Sequence, residues 1–540
     1  MATKPVQDVI MRNGTFVTMD DARTVATGMW VRGDRVAALG RPEDLRSMAG
    51  PDAKVVDLGG ATVVPGFVDA HCHISVVAYL LSGCDVSQPA CPDIPSIQAR
   101  LREQAATTPE GAWVTGGGFL EYKLAEKRYP TRWDLDEAVP DRPAIIYHTS
   151  YHGCVVNSKA FYDAGYRDDS PDPIGGVLLR DANGVCNGVI LEAPSFALLN
   201  RNLDAGLGLM TAAQRADAMG RATRQYNAFG VTSVMDAGIS TSNMSFRAFR
   251  DADAAGTLSV RIAAAINQAS AGWLVDGGVT AGFGSDFLRI TGVKVFSDGG
   301  MSSRTAAVDE EYPVPPYGKG VLFHEKPELI EIFRKYDTAG LQLCVHSQGD
   351  RAIRTVLEAF EEVIGKGSGN PLRHRIEHGG CLYPHLLPLA REVGIHVVSQ
   401  PAFFSLLGDG FFEAFGDDAA QQLYPFASIR RAGLKVGGSS DSPVITQNVL
   451  LALRDAVIRT TASGRVQGSS ERLSALEALE LYTRDAAWLT HSEHDRGSLE
   501  PGKFADFVEL SANPLEVAPE RIAEIEVVRT VVGGRVVYEG

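Results

Sequence analysis

The sequence predicts an α/β fold: a (β/α)8 TIM barrel with a large insertion after strand one and a small β-sandwich built from both termini. Three observations predict it. Apolar, β-branched runs alternate with helical stretches through the middle of the chain. Hairpin signatures occupy both ends. Residues 74–230, between the first and second runs, break the alternation.

At the N-terminus, 8–19 (DVIMRNGTFVTM) reads as two short strands around an Asn-Gly turn, and 28–39 repeats the device with Gly-Asp. At the far end, 527–538 (VVRTVVGGRVVY) shows strand, Gly-Gly, strand. An isolated hairpin is barely stable in water, so one sandwich from 1–61 and 491–540 is expected.

The eight barrel runs are 62–71, 231–236, 259–266, 288–296, 341–346, 373–378, 395–400 and 434–441. Helices are expected over 326–339, 350–365 and 474–489, the last with Ser474 as N-cap. The barrel then comprises 62–73 and 231–490. Residues 74–230 form an inserted subdomain that leaves strand one on the face where barrel sites form, and so covers the site. A doubly wound sheet is the competing fold, but no GxGxxG opens the first strand.

Of the 540 residues, 45% are hydrophobic and 22% charged, which argues against disorder. The net charge of −15 repels phosphates and disfavours a nucleic-acid partner. Seven cysteines without a CxxC are not a disulfide framework and fit a reducing compartment. There is no signal-peptide h-region and no apolar run long enough for a membrane span. A cytoplasmic protein with a small-molecule partner is the resulting expectation.

The sharpest local motif is His71-Cys72-His73 at the end of run one. In a strand, i and i+2 point the same way, so both imidazoles can reach one cation. Lys294 lies in run four, and runs five, six and eight end in His346, His378 and Asp441. Taken singly, each is readily a surface or capping residue. Taken together, six positions in phase with strand ends converge on one mouth. Imidazole and carboxylate suit Zn²⁺ first, and Mn²⁺ or Fe²⁺ as well. Lysine ammonium is no ligand, but a buried lysine carbamylated by CO₂ becomes a carboxylate that bridges two ions. The assignment is one ion on His71, His73 and Asp441, a second on His346 and His378, and carbamylated Lys294 between them.

With these residues the chain resembles the amidohydrolase superfamily, binuclear type, and within it the amidohydrolase-3 or YtcJ-like family, which holds N-substituted formamide deformylases. The resemblance runs from VVPGFVDAHCH through VNSKAF, GVKVFSDGGMSSRTAA, VHSQGDRAI, RHRIEHGG and SSDSPV to GSLEPGKFADFVEL. It implies the barrel, the split sandwich, the binuclear site and a homodimer. It also implies a mechanism, in which a bridging hydroxide attacks a polarised carbonyl and Asp441 passes the proton to the leaving nitrogen. Asp441, Lys294 and His346 are therefore the expected catalytic residues. His152 stands where the family has a histidine before Asn-Ser, and is a candidate for the substrate carbonyl. Asp298 and Arg304, just beyond run four, either shape the pocket or pair with each other. Tyr317 in the PPYG loop is a further candidate wall residue. Asp350 reads as a helix N-cap. Phe403, Phe404, Phe411, Phe412 and Phe415 form either core or an apolar substrate wall.

The expected function is hydrolysis of a carbon–nitrogen bond in an N-formyl, N-acyl or cyclic amide. Ester, lactone or phosphotriester hydrolysis by the same site is the alternative. A deaminase of the superfamily would carry a glutamate in HxxE after strand five, where this chain has Ser347, Gln348, Gly349 and Asp350.

Overall fold

The computed structural model describes residues 8–81, 83–149, 152–173, 176–239, 244–313 and 318–540. Its centre is a nearly closed parallel sheet. The strands are Phe67–Cys72, Val231–Ile239, Arg261–Asn267, Leu288–Phe296, Gln342–Ser347, Arg375–His378, His396–Ser399 and Val436–Gly438, each paired with the next in sequence. Both faces of these strands are covered, which is why they read as continuous apolar runs rather than alternating ones. The last strand meets the first through backbone hydrogen bonds beyond its end: Asp441 N to His71 O at 2.8 Å and His73 N to Ser442 O at 2.7 Å.

The run 62–71 is two strands, not one. Thr62–Pro65 pairs antiparallel with Phe507–Leu510, and only Phe67–Cys72 enters the barrel. Gly66 makes the transfer: a Cβ there would meet Thr232 Oγ1 at 2.2 Å, so no larger residue fits. Thr62–Pro65 thus belongs to an eight-stranded sheet that joins both ends of the chain. Its order is Arg535–Glu539, Val527–Val532, Phe507–Leu510, Thr62–Pro65, Asp8–Val17, Val25–Arg32 and Arg35–Gly40, with Lys54–Asp57 also on Asp8–Val17.

The Asn-Gly at 13–14 makes no hairpin. Asp8–Val17 is one strand with a bulge between Arg12 and Phe16, paired along its length with Val25–Arg32. Asn13 takes φ +56° at the bulge, and its amide donates to Asp57 Oδ1 at 2.7 Å. The Gly33 and Gly533–Gly534 turns do join paired strands.

Helices Lys326–Thr338 and Asp350–Ile364 lie where expected and meet through stacked Phe333 and Phe360, centroids 4.2 Å apart. Ser474 caps its helix, but the expected 474–489 helix breaks into Ala475–Leu481 and Arg484–Leu489. The Tyr482 carbonyl is diverted to accept from Val68 N at 2.8 Å, which ties this break to the first barrel strand.

Between the first two barrel strands lies a separate six-stranded sheet, ordered Gly176–Arg180, Cys186–Glu192, Gly153–Val156, Ala144–His148, Val114–Phe119 and Cys84–Asp85, with its own apolar core around Ile97, Leu101, Leu135 and Ile146. All seven cysteines are free thiols. Among the described residues no helix is long and apolar enough to cross a membrane.

The two central sheets are pinned together by Arg261 and Asp506, both buried. Arg261 Nε and one Nη donate to the Asp506 carboxylate at 2.7 and 3.1 Å, the other Nη donates to Asp286 O, and Phe504 stacks 3.6 Å from the guanidinium. Arg261→Ala leaves a buried carboxylate without its counter-charge, so a loss of about 3–5 kcal/mol is expected in urea denaturation. A shift within experimental error would show that the pair does not hold the sheets.

Candidate metal centre

The C-terminal ends of the barrel strands gather His71, His73, Lys294, His346, His378 and Asp441 around one cavity; His73, Lys294, His346, His378 and Asp441 line its wall, and His71 lies buried directly behind. The donor atoms of His71, His378 and Asp441 all lie within 4.8 Å of one another. That trio cuts across the expected partition, which placed His378 with His346 on the other ion.

Each buried imidazole is oriented from behind. His71 Nδ1 lies 2.5 Å from Glu377 Oε2, and the other Glu377 oxygen accepts from Arg375 Nε at 2.6 Å. Burial raises the Glu377 proton affinity, but Arg375 and His71 outweigh it and hold the carboxyl far below its usual range. A charged Glu377 only accepts, so His71 carries its proton on Nδ1 and turns the Nε2 lone pair to the centre. His378 Nδ1 lies 2.9 Å from Gln400 Oε1, whose own amide donates to Ser439 Oγ. His346 Nε2 donates to Gly299 O at 3.1 Å, which leaves Nδ1 as its lone-pair nitrogen. Burial pushes His378 down to about 3 and His346 well below its usual value, so both are neutral at neutral pH. His73 follows the strand end and precedes helix Ile74–Leu80, whose Ser75 N–H donates to buried Asp236 at 2.9 Å.

Asp441 faces three of these rings: Oδ1 is 3.4 Å from His71 Nε2 and 3.2 Å from His73 Nε2, and Oδ2 is 3.9 Å from His378 Nδ1. Burial opposes its ionisation, but the imidazoles that face it outweigh burial and hold it well below the usual carboxylate range. Asp441 and His378 both adopt positive φ, +56° and +72°, which re-aims each side chain at the end of its strand. Lys294 is buried with Nζ 3.3 Å from His71 Nε2 and 3.4 Å from Ala237 O, and burial lowers its pKa. Among the described residues its Nζ forms no ion pair with an acid.

Three imidazoles that each give one N–H to a fixed acceptor, a carboxylate and a buried lysine fit a divalent ion of the zinc type. The orienting groups were missed by sequence reading. Arg375 and Glu377 stand at i and i+2 inside RHRIEH, a spacing that signals one shared face.

The remaining candidates divide. His152 reaches the cavity, its ring 5.4 Å from that of His346. Asp298 is fully buried, with its oxygens accepting from Gln348 N, Gly349 N and Ala307 N at 3.0, 2.8 and 2.9 Å. Two of these amides, Gln348 and Gly349, lead into the Asp350–Ile364 helix, and burial, opposed by all three, raises Asp298 to about 7. Gly349 holds the N-cap position, so Asp350 is not the cap; its carboxylate accepts from Asp309 N at 3.0 Å. Arg304 forms its ion pair with Glu413, at 4.0 Å. Tyr317 lies outside the described residues. Phe403, Phe404, Phe411 and Phe412 are buried, and Phe403, Phe404 and Phe411 pack around Tyr424. Phe403 and Phe411 also line a small recess with His152, His378 and Asp441, while the aromatic wall of the main cavity is Phe196, Phe296 and Phe323.

Nitrogen and oxygen donors converging at the mouth of a parallel barrel define the metal-dependent barrel hydrolases. The chain belongs to the amidohydrolase family, whose model matches residues 54–538. It is 29% identical to N-substituted formamide deformylase of Arthrobacter pascens over 99% of both chains. It is 27% identical to the putative amidohydrolase YtcJ of Bacillus subtilis over 98% of this chain and 99% of that one. Among solved structures it is similar to an uncharacterized metal-dependent hydrolase from Pyrococcus furiosus, with TM-score 0.74, 26% identity, and coverage of 94% of this chain and all of that one.

Glu377→Gln removes the charge that fixes the His71 tautomer. Metal affinity measured by chelator competition is expected to fall about 10–100-fold; unchanged affinity would remove Glu377 from the centre.

Proposed function

We propose that the chain hydrolyses the carbon–nitrogen bond of a neutral amide. In this reading His71, His73, His346, His378, Asp441 and a carbamylated Lys294 hold two divalent ions, Zn²⁺ first. The observation that carries the reading is Lys294. A cation among imidazole donors would repel an incoming dication, and burial already disfavours its charge. The neutral amine adds to CO₂: an N–C bond forms, one proton leaves the nitrogen, and a would-be positive charge becomes a carboxylate.

The bound ions supply Lewis-acid polarisation and an acidified water. The protein's own groups supply the rest. Asp441, held ionised among its histidines, accepts a proton from the attacking water and delivers it to the departing nitrogen, which leaves poorly as an anion. The neutral, pre-oriented imidazoles need no proton release to bind metal.

The cavity, about 330 Å³, supports the substrate class. Val76, Phe196, Leu199, Phe296, Phe323 and Val444 give it large apolar side chains, and Lys294 is its one lysine or arginine among the described residues. An apolar, uncharged N-substituent suits such a wall better than a carboxylate or phosphate. The similarity to a deformylase of N-substituted formamides agrees with this.

Metal-replete enzyme is to be screened on N-formyl, N-acyl and cyclic amides beside esters, lactones and phosphotriesters. Hydrolysis confined to the latter three would overturn the amide reading. Asp441→Asn is expected to slow turnover about 10²–10⁴-fold. Lys294→Ala is expected to lose bound metal and nearly all hydrolysis, with partial recovery on adding a short carboxylic acid. Full activity with two ions in Lys294→Ala would sink the bridging assignment.

A further inference from the structure

The space above the metal centre is divided in two. The main cavity, about 330 Å³, and a recess of about 20 Å³ share Asp441, His378, His152 and Val444. They have no other lining residue in common, so they lie on either side of that group. The recess is walled by Met301, Gln348, Phe403, Leu407, Phe411 and Tyr424, and this wall is fixed. Phe403 and Phe411 pack on the Tyr424 ring with centroids 6.1 and 5.7 Å away, and a Cβ on Gly380 would meet Met301 Sδ at 2.2 Å. His152, between the two spaces, is held as well. Its Nδ1 lies 2.7 Å from Oε2 of buried Glu192, and Ser303 Oγ donates to Glu192 Oε1 at 3.2 Å. Beyond the recess runs an outer groove of about 690 Å³, between the inserted sheet and the loop after the eighth strand. Groove and recess have only Leu407 and Val444 in common, and Val444 borders all three spaces. Two side chains therefore close the recess off from the groove.

We propose that the recess is the acyl subsite, and that Leu407 and Val444 limit the substituent on the scissile carbonyl carbon to a hydrogen or a methyl. The assignment rests on the amide reading above, which puts the nitrogen substituent in the main cavity. An amide is planar, and its strongly favoured trans form sends the substituents of carbon and nitrogen in opposite directions. With the scissile carbon beside Asp441 and the nitrogen substituent in the main cavity, the other substituent enters the recess. A space of about 20 Å³ holds one water-sized group. A hydrogen fits freely and a methyl fits at the limit. An ethyl group needs the packed rings to move, and packed walls resist overfilling. Large nitrogen substituents and small acyl groups thus follow from the unequal volumes. Shaving Leu407 joins the recess to the groove, where Leu80, Leu81, Leu120, Leu406 and Ile445 would line an apolar acyl chain.

The test uses full-length, zinc-loaded enzyme and two amide series. One lengthens the acyl group of an N-butyl amide from formyl to hexanoyl, and the other enlarges the nitrogen substituent of a formamide from methyl to phenethyl. Wild-type kcat/KM is expected to fall about 100-fold from acetyl to butyryl and to hold or rise as the nitrogen substituent grows. Leu407→Ala is expected to recover the butyryl and hexanoyl amides about tenfold relative to the formyl amide. Val444→Ala, a smaller truncation at a half-buried residue, guards against misfolding and should shift the acyl ranking the same way. Phe196→Ala, which touches the main cavity and not the recess, should change the nitrogen ranking and not the acyl ranking. A crystal structure of the slow Asp441→Asn enzyme with N-butylacetamide is expected to show the acetyl methyl in the recess. The methyl in the main cavity, a wild type that accepts long acyl chains, or an acyl ranking unchanged in both Leu407→Ala and Val444→Ala overturns the proposal. An enzyme that cleaves esters and no amide overturns the amide reading, while an ester acyl series in the wild type and both variants still judges the recess.

Discussion

The site depends on how the barrel closes. The eighth strand is short, Val436–Gly438, and the seam to the first strand is made beyond it by polar contacts. Asp69 accepts from Ser440 N at 3.0 Å and from His71 N at 3.3 Å, and takes the Ser440 hydroxyl on its other oxygen. With the Asp441–His71 and His73–Ser442 backbone bonds, this seam sets the ends of strands one and eight side by side. His71, His73 and Asp441 are neighbours because the sheet closes there. The glycines of the eighth strand allow it: a Cβ on Gly438 would lie 2.4 Å from the Tyr482 ring, and one on Gly437 would lie 2.8 Å from Leu489. Small residues let the final helices lie against the strand and shut the ring.

Closure also buries charge, and the structure answers with ordered pairs. Asp69 is raised to about 6 by burial despite its hydrogen bonds, so the seam is most fully protonated, and Asp69 least costly, in mild acid. Arg375 and Glu377 neutralise one another in the barrel interior, and Arg375 also donates to Ala70 O and Leu489 O, each at 2.9 Å. One residue thus serves the seam, the final helix and the His71 tautomer. Removing part of such a network costs more than the network contributes, because the remainder is left buried and unpaired. That coupling keeps the ligand geometry rigid: the His71 ring cannot rotate without breaking its contact to Glu377 on the sixth strand.

Much of this was legible in the sequence, and the failures have common physical causes. The strands and their ligand-bearing ends could be read because a period of two and apolar runs are local signals. His71 and His73 follow the strand alternation, which is why they were found together. Glu377 was not, because it adjoins His378, and alternation puts neighbours on opposite faces; the positive φ of His378 brings both into the site, and single-sequence patterning does not reveal that angle. Asp298 was read as shaping the pocket or pairing with Arg304, whereas it accepts from the backbone amides of Ala307, Gln348 and Gly349; hydrogen bonds to a backbone fifty residues on leave no spacing signature. The phenylalanines of 403–415 are largely core, with Phe403 and Phe411 also facing a small recess beside Asp441. The actual wall takes Phe196, Phe296 and Phe323 from three separated segments, a grouping only the fold creates. At 13–14 a hairpin dipeptide served a bulge, because partner strand Val25–Arg32 runs past it.

The molecule divides its labour along the boundary between its sheets. Every donor in the candidate metal centre comes from the barrel, where neighbouring strands and the seam fix it. The cavity's far side comes from other chain: Val76, His152, Phe196, Leu199 and Asn200 all fall between the first two barrel strands, beside a sheet with its own core. Coupling energies between residues fall off when they share no partners, so changes to that far wall need not disturb the donors. His152 is the exception, since its ring rests against His346 and its carboxylate partner reaches the loop after strand four. Variation in what is bound can therefore proceed through Phe196 or Leu199 at little cost to the chemistry, whereas variation at His152 or Glu192 moves both at once. The positive φ tolerated at Glu192 marks where the two halves of the site are bound to each other.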